Sequence, residues 1–176
     1  MNKKFYLTTA IPYVNAAPHL GFALEIVQTD TLARYHRLLG EDVYFLTGSD
    51  ENSLKNVQAA EEKGIPVEEL VKQNSEKFFG LKKSLNLSFN DFLRTTEKRH
   101  FRSVQAFWQK CRKTDIYKKK YKGLYCVGCE TFYTEKDLVN GKCPEHQTKP
   151  EVIEEENYFF RLSAYQKWLE NIIEKD

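Results

Sequence analysis

A chain of 176 residues, 41% hydrophobic and 14% aromatic, has the apolar material for a real core, which excludes intrinsic disorder and makes a disulfide staple unnecessary. Its 27 Lys and Arg against 25 Asp and Glu leave a net charge of +2, so no general polyanion binder is implied, although residues 110–122 are locally basic and 151–156 locally acidic. No apolar run approaches the ~18 residues of a membrane span and the first residues lack a signal peptide's apolar segment, so the expectation is a cytoplasmic protein with no membrane partner, its four cysteines kept as thiols.

Phe5-Tyr6-Leu7-Thr8-Thr9-Ala10 is short, apolar and β-prone, and the two prolines of 11–18 stop it, which predicts a strand and then a loop. From His19, residues Leu20, Ala23, Leu24, Val27, Thr31, Tyr35 and Leu38 recur at helical spacing, with Gly40 where a C-terminal cap belongs. Val43-Tyr44-Phe45-Leu46-Thr47 predicts a second buried strand, so the first fifty residues read as a βαβ unit with a parallel pair. Helices are expected over 53–63 and 67–85, separated by a turn at Gly64-Ile65-Pro66, with a third strand near Phe92-Leu93. A helix over 97–112 offers Phe101, Val104, Trp108 and Cys111 as one core face. Residues 121–125 and 152–162 look extended and bracket a segment rich in Cys, Gly and Pro, and a helix over 163–174, capped by Ser163, ends the pattern.

Cys126-Val127-Gly128-Cys129 and, thirteen residues later, Cys143-Pro144-Glu145-His146 form two pairs of soft ligands, each with two residues between. Such turns aim both side chains of a pair at one tetrahedral ion, the arrangement of a closed, structural zinc site; the bland alternative is three core thiols and a surface histidine. Gly128 is expected to supply a positive φ that brings backbone amides to the thiolates.

Pro18-His19-Leu20-Gly21-Phe22 lies where the first strand hands over to the first helix, and a helix N-terminus beyond a parallel strand suits a phosphate. His19 is a candidate phosphate donor or simply a cap, and Gly21 would let a nucleotide approach the backbone. In Thr47-Gly48-Ser49-Asp50-Glu51-Asn52, Asp50 is placed to hold an ammonium group or to cap the next helix.

Taken jointly, Ala10-Ile11-Pro12-Tyr13-Val14-Asn15-Ala16-Ala17-Pro18-His19-Leu20-Gly21, Phe45-Leu46-Thr47-Gly48-Ser49-Asp50-Glu51, Gly123-Leu124-Tyr125-Cys126-Val127-Gly128-Cys129-Glu130 and Glu155-Glu156-Asn157-Tyr158-Phe159-Phe160-Arg161-Leu162 resemble the bacterial methionyl-tRNA synthetase family. The resemblance implies an α/β fold: a Rossmann-like parallel sheet, the first half of a class I synthetase catalytic domain over 1–115. It also implies a zinc-binding connective insertion over 116–162 and the start of a following helix over 163–176. The implied reaction activates methionine with ATP and Mg2+ to methionyl-adenylate and then charges tRNA(Met). His19, Leu20, Gly21 and Phe22 match the ATP-contacting H-I-G-H signature, His19 and Gly21 as its catalytic positions. Ile11, Pro12, Tyr13 and Asp50 match the methionine site, with Asp50 on the ammonium. Cys126, Cys129, Cys143 and His146 match the ligands of one structural zinc ion.

Phe22 stands where the signature's last histidine belongs, Asn52 stands where the family often has histidine, and the family's K-M-S-K-S motif does not occur. The expectation is therefore a fragment that is inactive by itself. The alternative is a non-catalytic RNA-binding module built on the knuckle and the run Lys118-Lys119-Lys120-Tyr121-Lys122.

Overall fold

The computed structural model describes residues 3–175. The chain divides into two compact units, Met1–Val104 and Gln105–Asp176.

In the first unit, β1 (Lys4–Thr8), α1 (Leu20–Leu38) and β2 (Asp42–Ser49) form the expected βαβ unit, with β1 parallel to β2 from Lys4↔Asp42 to Thr8↔Leu46. Helices α2 (Leu54–Lys63) and α3 (Val67–Ser84) lead to β3 (Asp91–Arg94), which lies parallel on the other side of β2. The central strand carries the core: Val43 and Phe45 point inward against Phe22, Ile26, Phe78 and Phe89. Gly48 belongs to this strand because β3 approaches it so closely that a Cβ there would stand 2.1 Å from the Leu93 carbonyl oxygen.

The buried stripe of α1 is not the predicted one. Phe22, Ile26, Asp30 and Ala33 face the core, while Leu20 and Leu38 are 88% and 87% exposed. The reason is Asp30, a carboxylate inside the apolar stripe. Its Oδ1 accepts the Ser88 amide and hydroxyl, both at 2.6 Å, and its Oδ2 accepts Arg34 Nε at 2.6 Å. Burial pushes this carboxyl up, but the bonds from Arg34 and Ser88 outweigh it and hold it below the usual range. Satisfied in this way, Asp30 ties α1 to the approach to β3, and it hides the helix's periodicity from a reading based on hydrophobicity. The helix ends as expected, with Gly40 in the left-handed region.

Helix α4 (Lys98–Lys110) has no buried residue. Its Phe101, Val104 and Trp108 are about half exposed, and Cys111 is only partly covered, its thiol donating to the Phe107 carbonyl at 3.6 Å. The expected core face and core cysteine are thus only partly covered, Trp108 meeting Tyr158 edge to face at 6.0 Å, because an amphipathic pattern states which face would be buried and not how fully.

In the second unit, β4 (Ile116–Cys126), β5 (Thr131–Tyr133) and β6 (Glu151–Phe160) form an antiparallel sheet of order β5-β4-β6. The β4–β6 ladder runs from Ile116↔Phe160 to Tyr125↔Glu151, so β4 begins five residues before the expected extended segment. Cross-strand aromatic pairs line it, Tyr117 with Phe159 at 5.7 Å and Tyr121 with Phe132 at 4.6 Å. The basic run faces the acidic one: Lys118 pairs with Glu156, Lys122 with Glu154, and Lys120 lies opposite Glu156 in register. A 3-10 turn, Leu162–Tyr165, precedes α5 (Gln166–Ile173), and Ser163 lies inside that turn instead of capping the helix. Asp115 holds the turn, its carbonyl accepting Arg161 N at 2.7 Å and its carboxylate accepting the Tyr165 hydroxyl. Among the described residues no helix is long and apolar enough to cross a membrane.

Candidate active-site loops and metal centre

The loops that follow β1 and β2 both leave the carboxyl edge of the parallel sheet, where such folds bind ligands. They are joined there. Tyr13 and Asp50 form a parallel bridge and Asp50 N donates to the Pro12 carbonyl at 2.8 Å, so Pro12, Tyr13 and Asp50 come together, with Ile11 41% exposed at the start of the same loop. Asn74 Nδ2 donates to the Val14 carbonyl at 2.7 Å and pins the loop from below.

Asp50 is not the cap of α2. Ser53 is, its hydroxyl accepting the Asn56 amide at 3.2 Å. The Asp50 carboxylate instead takes the Asn52 amide on Oδ1 at 3.0 Å and, on the same oxygen at 3.5 Å, the Thr95 hydroxyl. Thr95 Oγ1 itself accepts the Glu51 amide at 2.9 Å, and Asn56 Nδ2 donates to the Asp50 carbonyl at 3.3 Å.

His19 is the N-cap of α1, its Nδ1 accepting the Gly21 amide at 3.1 Å. An acceptor Nδ1 requires the proton on Nε2, which leaves Nε2–H as a donor for another group. Gly21 makes this pose possible, since a Cβ there would stand 2.9 Å from the His19 ring. Leu20 is exposed beside it. The Phe22 side chain is 6% exposed and meets Phe78 edge to face at 5.0 Å, so at the expected ATP contact this residue has its backbone, and not its ring, to offer.

Beneath these loops lies a buried charge that the sequence reading passed over. The Glu51 side chain has no exposed surface and accepts Arg94 Nε at 2.5 Å and Nη2 at 3.1 Å, together with Ser75 Oγ at 2.5 Å and the Thr96 hydroxyl. Burial raises its carboxyl, but Arg94, Ser75 and Thr96 outweigh burial and hold it below the usual range. The signal was available: Val43, Phe45, Thr47, Ser49 and Glu51 are alternate residues of one inward row, and an acid continuing such a row needs a cation.

In the second unit the four ligand atoms of Cys126, Cys129, Cys143 and His146 lie within 4.8 Å of one another. Ligands ~2.3 Å from a single tetrahedral ion stand about 3.8 Å apart, so the donor set fits one ion. Cys129 Sγ is 3.3 Å from Cys143 Sγ, far beyond a disulfide's ~2.05 Å, and 3.1 Å from His146 Nδ1. Although burial pushes the Cys143 thiol up, the His146 amide, the neighbouring thiols and the Tyr133 phenol outweigh it and draw it down to about 6. Cys129 is displaced upward: the bond from Tyr133 favours its thiolate, but burial and its neighbours Cys143 and Cys126 prevail. Three thiols and an imidazole gathered at this spacing can hold a metal ion. Gly128 serves differently from expectation. Its φ is not positive; a Cβ there would stand 2.6 Å from the His146 ring, and the left-handed residues of the two knuckles are Glu130 and Gln147, each following the second ligand of its pair.

A Rossmann-like parallel sheet with its loops gathered at the strands' carboxyl edges defines a nucleotide-binding class of protein. The family described as tRNA synthetases class I (M) matches residues 5–149. Methionine–tRNA ligase of Thermotoga maritima is 46% identical over 167 residues, which cover 92% of this chain and 27% of that protein. The Brucella suis ligase is 45% identical over 179 residues, 99% of this chain and 35% of that protein. A solved structure of Mycobacterium tuberculosis methionyl-tRNA synthetase in complex with methionyl-adenylate matches with a TM-score of 0.92 at 43% identity, covering 98% of this chain and 35% of that one. This chain belongs to the class I tRNA synthetases, in the methionyl (M) family, and spans about a third of the length of these relatives.

Proposed function

We propose that this chain is part of a cytoplasmic methionine–tRNA ligase, contributing the first half of the catalytic domain over 1–115, the connective insertion over 116–162 and a following helix over 163–176. The observation that carries the reading is the junction of the Pro12–Tyr13 loop with Asp50 at the carboxyl edge of β2, in a fold matching a synthetase complexed with methionyl-adenylate. Asp50 holds the methionine ammonium, and Ile11, Pro12 and Tyr13 line the amino acid's site. With the ammonium held, a carboxylate oxygen of methionine attacks the α-phosphorus of ATP, the P–O bond to pyrophosphate breaks, and methionyl-adenylate forms. His19 Nε2–H donates to the phosphate oxygens as negative charge develops, while Leu20 and Gly21 present the backbone of the helix start. Mg2+ arrives with ATP as counter-ion to its phosphates. The adenylate then passes methionine to the terminal adenosine of tRNA(Met), and AMP leaves. Cys126, Cys129, Cys143 and His146 hold one structural Zn2+, which when bound ties β4 to the segment before β6.

The test is a chimera in which residues 5–149 replace the matching segment of the Mycobacterium tuberculosis enzyme, assayed for ATP–pyrophosphate exchange. Exchange that requires methionine, and that Asp50→Ala and His19→Ala abolish in chimeras retaining zinc and melting temperature, supports the reading. Exchange driven by another amino acid, or indifferent to Asp50, overturns it.

A further inference from the structure

Each thiolate of the donor cluster has a hydrogen-bond donor of its own. Cys143 Sγ accepts the His146 amide at 3.4 Å, Cys126 Sγ lies 3.8 Å from Thr148 Oγ1, and Cys129 Sγ accepts the Tyr133 hydroxyl at 3.2 Å. Tyr133 ends β5 and lies opposite Leu124, two residues before Cys126 on β4, so the short strand pair fixes where its phenol sits. Its Oη is also 3.7 Å from Cys143 Sγ. Once an ion is bound, the cysteines carry no protons, and the phenol has only acceptors beside it. It must then donate, and the nearer acceptor is Cys129.

Three thiolates and a neutral imidazole around a divalent cation leave one net negative charge in the cluster. Donors that share this charge make the ligands easier to keep deprotonated and hold them in place. The Thr148 contact is long, and the His146 amide is backbone that no side-chain substitution removes. Tyr133 is therefore the donor that the sequence can change.

We propose that Tyr133 is a positioning residue of the metal centre: its phenolic hydroxyl donates to the Cys129 thiolate, orients it toward the ion and withdraws charge from it. This rests on the metal-site reading above. Tyr133→Phe keeps the ring and removes only the hydroxyl, so a role in packing alone would survive it. In the 176-residue chain, competition with a chromophoric chelator should show Zn2+ affinity lowered about tenfold or more. In the Co2+-loaded variant the thiolate-to-metal charge-transfer band should move to lower energy, because a thiolate freed of a hydrogen bond gives up electron density more readily. Tyr117→Phe, which removes a hydroxyl at the far end of the same sheet, should change neither. Affinity within twofold of the parent, or a loss of affinity with an unmoved band, overturns the proposal. Equal zinc in the parent and in Cys143→Ser overturns the metal site itself and the role of Tyr133 with it.

Discussion

Replacing Arg94 with methionine tests the buried charge beneath the loops most directly. Glu51 has no exposed side-chain surface and Arg94 is 30% exposed, so the substitution strands a buried carboxylate without its guanidinium. Breaking such a pair costs about 3–5 kcal/mol. The lower end applies here, about 3 kcal/mol, because Arg94 is partly hydrated and the Ser75 and Thr96 hydroxyls still serve Glu51. With a urea m-value of about 1.5 kcal/mol/M, that is a midpoint roughly 2 M lower at pH 7. The pH dependence is the sharper part. In the parent the Glu51 carboxyl is held below its ordinary value, so its stabilisation is complete above the unfolded carboxylate pKa, about 4.3, and is lost as pH falls through the folded value. In the variant, burial acts without Arg94 and the carboxyl rises, so lowering the pH neutralises the stranded charge. The stability gap should then shrink by at least about half between pH 7 and pH 4. Trp108 and Trp168 both lie in the second unit, so fluorescence does not follow the loss; hydrogen exchange at β2 amides in graded urea does. A gap below about 1 kcal/mol at pH 7, the worth of a surface pair, or one that ignores pH, would refute the reasoning.

Gly48→Ala should unfold the first unit, measured by loss of β2 exchange protection, because its Cβ meets backbone 2.1 Å away and no flexible side chain can yield. Chelating the metal, or substituting Cys143→Ser, should melt the β4–β6 ladder in circular dichroism while leaving β2 protection unchanged. Ser53→Ala should lower stability by about 1 kcal/mol, the cost of a helix cap, whereas Asp50→Ala should cost less and instead weaken methionine binding by calorimetry in the active chimera. Phe22→His should destabilise the chain by at least about 2 kcal/mol in urea without a gain in adenylation by that chimera, since it puts a polar ring into the core beside Phe78; unchanged stability would mean that the side chain faces solvent.

Much of the architecture was legible because it rests on local signals. The prolines after β1, the glycines at 40 and 64, and the alternation in Val43 and Phe45 each forced a boundary or a face by sterics or by period. The two Cys and His pairs were legible for the same reason, since spacing within a knuckle is a local geometry. What escaped depended on partners remote in sequence. Asp30 is acceptable in the buried stripe of α1 because Ser88, fifty-eight residues later, joins Arg34 in donating to it. Glu51 is acceptable because Arg94 reaches it from the end of β3, forty-three residues later. The packing of Phe22 was also out of reach, since a motif's register does not say that the first turn of α1 rotates this ring into the core while His19 curls back onto Gly21. The role of Gly128 was misjudged because a glycine suggests a backbone angle, and here the need is room for the His146 ring.

The two units are held by different physics, and the difference follows their chemistry. In residues 105–175 no Leu, Ile, Val, Phe, Tyr or Trp is buried, and the apolar side chains that are buried there are Pro150 and two members of the donor cluster, Cys126 and Cys143. Such a unit has a hydrogen-bonded ladder but little apolar burial to hold it, so an ion held by the four donors would supply what a core supplies elsewhere. The first unit has its apolar core on one side of the problem and a polar one on the other. Thr9 and Thr47 bond each other at 2.7 Å, Ser49 and Ser75 at 2.8 Å, Glu51 takes Arg94, and the Asn56 and Asn74 side chains bond the backbones of Asp50 and Val14. All of these buried polar groups lie at or beneath the carboxyl edge that carries Tyr13 and Asp50. An apolar packing there would be as stable and would slide more easily, because dispersion has no direction. Hydrogen bonds with fixed partners hold the backbone at Asp50 in one register, which is what a carboxylate needs if it is to meet an ammonium at a single place.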